Sequence, residues 1–193
     1  MEISESLIQS WLQQSKKCQS VQVNWSPLIN SWELHNEEKI NQTLEITKNY
    51  FLKKRHYSIF PNKSSQLDVL QLKAIDVLGL KVISNNITNI YGVTIASEEE
   101  FDDVNTTATI EKIIEKLVST ALFMHGYFNM TEGQIIFASP KISDTFYQEL
   151  AASIKTLNSL YKKFGFKFTF FLYANDTFKN KIYTPMKNNT VSD

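Results

Sequence analysis

Two stretches decide the reading of this chain: Ala74-Ile75-Asp76-Val77-Leu78-Gly79-Leu80 and Asn89-Ile90-Tyr91-Gly92-Val93-Thr94-Ile95-Ala96. The first is apolar around a single acid, and the second is β-branched and aromatic. Ser84-Asn85-Asn86 between them supplies turn residues. Short runs of this composition bounded by a turn predict a β-hairpin. A carboxylate inside such a strand is costly to bury unless it is paired or holds a metal. Asp76 is therefore the first candidate for chemistry. The alternative is that Asp76 and Thr94 both point outward from the sheet.

Working outward, Asn105-Thr106-Thr107 can cap a long helix from Ala108 to about Phe128, with Ile110, Ile113, Ile114, Leu117 and Leu122 in its apolar stripe. Gln134 to Ser139 reads as a strand stopped by Pro140. A helix from about Ser143 to Phe164 follows, ended by Gly165 as a C-cap. Phe166 to Tyr173 is an aromatic strand, and Asn175-Asp176-Thr177 starts a short terminal helix. Upstream, Leu7, Ile8, Trp11 and Leu12 have helical spacing. Ser20 to Trp32, broken by Pro27, reads as an irregular connection. Asn36 is the expected N-cap of a helix that runs to about Lys54. Leu67 to Leu72 is the end of a helix or a short strand. The order α-β-β-α-β-α-β predicts an α/β fold, a mixed central sheet flanked by helices on both faces. Residues 1–34 are assigned to an N-terminal helical extension, 35–187 to the α/β domain and 188–193 to a tail.

The chain has 193 residues, 42 % of them apolar, which sets about one domain and excludes disorder. No apolar run approaches the roughly 18 residues of a membrane helix. The opening Met-Glu-Ile-Ser-Glu-Ser lacks the order of a signal peptide, so a cytoplasmic, membrane-free protein is expected. Cys18, the one cysteine, excludes an internal disulfide framework and any CxxC site. Twenty basic residues balance twenty acids, which argues against indiscriminate nucleic-acid coating. That balance is a cancellation. Glu98, Glu99, Glu100, Asp102, Asp103, Glu111 and Glu115 form an acidic block with Lys112 alone against them, and eight lysines lie between Lys141 and Lys187. Arg55 is the only arginine, which weakens readout of the major groove.

Asp76 together with an acid from Ser97-Glu98-Glu99-Glu100 can hold a divalent cation such as Mg²⁺ through oxygen ligands. Such a cation can act on a phosphodiester. Other candidates have blander alternatives. Lys53, Lys54 and Arg55 are candidate nucleic-acid contacts or a solvated helix end that complements the dipole. The strand Phe166-Phe168-Phe170-Phe171-Tyr173 could stack bases or fill a core. His125 reads as a packed core or interface histidine, and His35 and His56 have no metal-ligand spacing.

The strand order and the hairpin segment resemble the core of the PD-(D/E)xK, restriction-endonuclease-like superfamily. From about Trp11 to Tyr183 the chain is similar to a group of bacterial proteins with that core. The matching stretches include Leu34-His35-Asn36-Glu37-Glu38, Ile75-Asp76-Val77-Leu78-Gly79, Ile90-Tyr91-Gly92-Val93, Gly126-Tyr127-Phe128 and Ala138-Ser139-Pro140-Lys141. The resemblance implies a restriction-endonuclease-like core behind the N-terminal helical extension, with Asp76 as the first metal-binding acid. Glu37 or Glu38 would match a helix-borne acid that some members use. The second metal-binding acid falls on Thr94 and the lysine on Ala96, so neither is present. In the closer group an acid stands at the Thr94 position and a His-Glu pair follows, where this chain reads Glu98-Glu99.

Two functions follow from the resemblance. In one, the acid has migrated to Glu98 or Glu99 and the lysine to Lys112 or Lys116. The protein is then a Mg²⁺-dependent endonuclease whose phosphates are held by Lys53, Lys54 and Arg55 or by C-terminal lysines. In the other, Thr94 and Ala96 mark a degenerate site. The chain is then a non-catalytic nucleic-acid- or protein-binding or regulatory component of a phage-defence or mobile-element system, with a protein partner or as a homodimer. An acidic face from Glu98 to Glu115 would repel DNA, which favours the second.

Overall fold

The computed structural model describes residues 5–27, 32–61, 69–70, 75–96 and 106–189. Its first elements are α1 (Glu5–Gln14), β1 (Ser20–Trp25), α2 (Glu37–Arg55), β2 (Ile75–Ile83) and β3 (Asn86–Ile95). Then come α3 (Thr106–Phe128), β4 (Glu132–Ser139), α4 (Asp144–Lys163) and β5 (Lys167–Ala174). The described chain ends in α5 (Asp176–Phe178), a π-helical turn (Lys179–Tyr183) and α6 (Thr184–Asn189). Among the described residues no helix is long and apolar enough to cross a membrane.

The hairpin forms where the sequence predicts it. Ser84 and Asn85 adopt φ values of 50° and 63°, the positive values that both central residues of a type I′ turn require. Ile83 pairs with Asn86 across that turn. The strands lie in chain order, β1-β2-β3-β4-β5. β2 is antiparallel to β1 and β3, whereas β3, β4 and β5 are parallel, so β2 alone is reversed. Parallel neighbours need crossovers, and α3 and α4 provide them.

Both crossover helices lie on one face. There Ile40, Leu44 and Phe51 of α2, Ile114 and Leu117 of α3 and Leu150 and Leu157 of α4 meet Leu78, Ile90, Ile135, Phe168 and Phe170 of the sheet. A smaller core covers the other face. Ile8, Trp11 and Leu12 of α1, with Phe178, Ile182 and Met186, pack on Val77, Tyr91, Val93 and Ile136. The fold is therefore α/β, a five-stranded mixed sheet flanked by helices.

Two local expectations are corrected. Ser20–Trp25 is not an irregular connection but an edge strand, with Val21 opposite Gly79 and Val23 opposite Val77. The N-terminal stretch thus contributes a strand as well as a helix. Asn36 stands at the start of α2 but does not cap it with its side chain. It adopts φ 59°, and its amide donates to Asn129 Oδ1 at 2.8 Å. Residues 69–70 are helical. The rest of Leu67 to Leu72, and the expected cap Asn105, lie outside the described residues.

Both sheet edges carry side-chain devices. Beyond β5, Asn158 of α4 accepts the Phe170 N–H at 2.9 Å and donates to the Phe170 carbonyl at 3.0 Å. In β1, Asn24 adopts φ 51° and drops out of the ladder between Val23 and Trp25. Its amide donates to the Glu5 carboxylate at 3.1 Å.

Candidate functional site

Backbone pairing of β2 and β3 ends with Val77 and Val93. Asp76 sits just beyond, across from Thr94. Side chains alternate along a strand, so both residues share the face of Leu78 and Gly92, the face that α3 covers. The Ile95 N–H donates to Asp76 Oδ2 at 2.8 Å. Lys116 Nζ on α3 lies 3.5 Å from the same oxygen, with the two side chains 45 % and 20 % exposed, lysine first. Thr94 is only 3 % exposed, so the outward alternative for this pair is corrected. The reason is the approach of α3. A Cβ on Gly92 would run into Thr120 Cγ2 and Met124 Cε, so the missing side chain lets the helix settle on the sheet.

A cavity of about 270 Å³ opens beside the pair. Thr94, Ile95, Ala96 and Phe137 line it from the sheet, and Lys112 and Lys116 from α3. Four residues is about one helical turn, so the two lysines share a face of α3. Glu111 and Glu115 share a different one. Glu111 Oε1 accepts the Ser58 N–H at 2.6 Å, and Glu115 Oε1 accepts the Phe60 N–H at 2.5 Å. Tyr57 Oη donates to Glu149 Oε2 at 3.2 Å. Three carboxylates thus tie down the segment after α2. Two acids of the expected DNA-repelling face are thus engaged with neutral backbone N–H groups, which fixes their position and leaves their charge in place. Glu98, Glu99, Glu100, Asp102 and Asp103 lie outside the described residues.

Among the described residues no three His, Cys, Asp or Glu side chains converge to hold a metal ion. The described polar side chains lining the cavity are the Thr94 and Thr109 hydroxyls and the two lysines, with the Asp76 carboxylate beside them on Lys116. A hard dication wants several oxygen ligands, carboxylates above all, and is repelled by ammonium groups. Asp76 Oδ2 is moreover shared already by the Ile95 N–H and Lys116. The described donors by themselves do not fit Mg²⁺.

The remaining candidates lie elsewhere. Lys53, Lys54 and Arg55 form the last turn of α2 and do not line the cavity. Glu37 and Glu38 start α2 near the far end of α3, where the His35 N–H donates to the Gly126 carbonyl at 2.8 Å. Ten helical residues separate Gly126 from Lys116, about 15 Å, so neither acid joins Asp76. Phe166, Phe168 and Phe170 are buried around Tyr161, which is core packing. Cys18 is buried, and burial pushes its thiol up to about 11 despite Lys16 and Lys81. Sequence reasoning missed Phe137, which forms the cavity wall from β4. Within its strand it reads as one more core residue.

His125 is 5 % exposed. Its Nδ1–H donates to the Met130 carbonyl at 2.9 Å, and Nε2 meets no partner. Burial lowers its pKa from 6.5, Lys39 lowers it further, and the Met130 bond opposes both. A depressed pKa means that the folded state favours the neutral ring. The resulting stability is present above the unfolded value and is lost as pH falls through the folded one. The melting temperature should therefore drop as pH falls below about 6.5, and His125→Gln should flatten that drop. An unchanged slope in the variant would show that the buried imidazole does not titrate on unfolding.

Compared with protein-family models, curated proteins and solved structures, the chain matches none of them.

Proposed function

We propose that the protein is a degenerate restriction-endonuclease-like domain that binds nucleic acid without cutting it. One observation carries this reading: Asp76 faces Lys116 and Thr94 where a metal-dependent nuclease needs a second acid. The mixed sheet with β2 reversed, and Asp76 at the open end of the hairpin, agree with the core that the sequence resembles. Lys112 and Lys116 make the cavity attractive to phosphate oxygens.

The Lys116–Asp76 contact also favours a second reading, an active endonuclease whose lysine comes from α3 and whose second acid is Glu98 or Glu99. DNA and RNA cleavage assays with Mg²⁺ or Mn²⁺, on wild type and Asp76→Ala, separate the two. The expected result is binding with no metal-dependent cleavage. Cleavage that disappears in Asp76→Ala would overturn the non-catalytic reading.

A further inference from the structure

We propose that Lys116, held against Asp76, takes the place of a divalent cation, so that the cavity binds a phosphoryl group of a nucleic-acid strand in the absence of metal. The inference rests on the nucleic-acid-binding reading above and adds how the charge is supplied. Asp76 is negative, while Lys116 and Lys112 are each positive, so these three groups sum to one positive charge, with Glu111 and Glu115 on the neighbouring face of α3 outside that sum. A single carboxylate carrying a dication leaves the same net charge. The two ammoniums thus supply attraction for a phosphate oxygen that needs no metal ion.

The arrangement is specific in its geometry. Lys116 contributes its charge from a defined place because Asp76 Oδ2 lies 3.5 Å from its ammonium. Asp76 is itself fixed by the Ile95 N–H at 2.8 Å. Lys112 presents a second ammonium one turn earlier, and the buried Thr94 lines the same space. The volume of about 270 Å³ falls just under the roughly 300 Å³ at which drug-sized pockets begin. It suits a phosphoryl group with part of its sugar against Ile95, Ala96 and Phe137, and it is too small for a base pair. Chemically, an ammonium attracts phosphate oxygens but cannot generate a hydroxide nucleophile as a metal does. Binding without hydrolysis follows.

The test is calorimetric titration of the full chain with inorganic phosphate and with one single-stranded oligonucleotide, carrying either a 5′-phosphate or a 5′-hydroxyl. Each titration is run in EDTA and in Mg²⁺. The oligonucleotide should bind in EDTA at least as tightly as in Mg²⁺, which competes for its phosphates. Lys116→Met should weaken binding about tenfold and lower the salt slope by about 0.7, as loss of one phosphate contact on a single strand requires. Lys112→Met gives the second reading of this effect should Lys116→Met not fold. Asp76→Asn keeps an oxygen for the Ile95 N–H but removes the charge that opposes phosphate, so it should tighten binding. A metal-bridged site behaves oppositely: EDTA and Asp76→Asn each abolish binding, and either result would overturn the proposal. Tighter binding of the 5′-phosphate would assign the cavity to a strand end, and equal binding to the backbone. Binding of inorganic phosphate alone, with neither oligonucleotide bound, would overturn the nucleic-acid assignment. Binding lost in EDTA without cleavage sinks this inference only, whereas metal-dependent cleavage sinks the non-catalytic reading.

Discussion

Gly92→Val should lower the stability of the fold by about 2–3 kcal/mol and remove phosphate binding with it. The position lies opposite Leu78 on one side and Ile135 on the other, in the middle of the sheet. Its missing side chain is what allows Thr120 and Met124 of α3 to reach the β3 backbone. Both neighbours belong to a packed helix, so a valine there forces α3 to lift or tilt. Valine suits a strand better than glycine does, but that preference recovers at most about 1 kcal/mol. Lifting α3 also draws Lys116 away from Asp76, because the two meet only through that packing. Urea denaturation reads the first effect and oligonucleotide titration the second. A variant with wild-type midpoint and wild-type affinity would show that α3 does not depend on the bare backbone at this point.

Trp11→Ala should cost about 4 kcal/mol, within the range for truncating a buried tryptophan. Trp11 is 1 % exposed and is the largest side chain in the smaller core. Its ring meets Tyr173 edge-on, with centroids 6.2 Å apart, and Lys16 Nζ stands 5.1 Å from its centroid. Trp11 belongs to the same small core as Phe178, Ile182 and Met186 of the C-terminal turns, while the α2–α3–α4 side retains its own core. The measurement is again the urea midpoint. A loss under about 1.5 kcal/mol would mean that the site collapses around the smaller residue and that α1 is held by Ile8 and Leu12 instead.

The parts of the fold that depend on local pattern were legible in the sequence. The hairpin followed from two apolar strands and an asparagine-rich turn, α3 from its apolar stripe, and the end of α4 from Gly165, which adopts φ 84°. The parts that depend on distant partners were not. Asn36 carries the residue type of a cap, yet its amide is taken by Asn129, 93 positions away. Glu111 and Glu115 read as solvated acids because their backbone partners, Ser58 and Phe60, lie more than fifty positions upstream. β1 did carry a signal, Val21, Val23 and Trp25 at every second position, which Pro27 and the intervening polar residues obscured. At the site, Asp76 was identifiable as an acid inside an apolar strand, and Lys116 as one of two lysines able to meet it. That Lys116 is the one that reaches the carboxylate depends on how α3 lies across the sheet.

The asparagines at the two sheet edges have a colloidal consequence. With twenty positive and twenty negative residues, identical molecules have little net repulsion to keep them apart. An open edge strand on such a molecule is a template for polymerisation. Here the Asn158 carboxamide occupies both polar groups of Phe170, as a neighbouring strand would. At the opposite margin, Asn24 breaks the extended line of β1. Each margin is interrupted at one residue, so a second copy meets a broken row of partners, and the rim of the sheet hinders the pairing that net charge does not oppose.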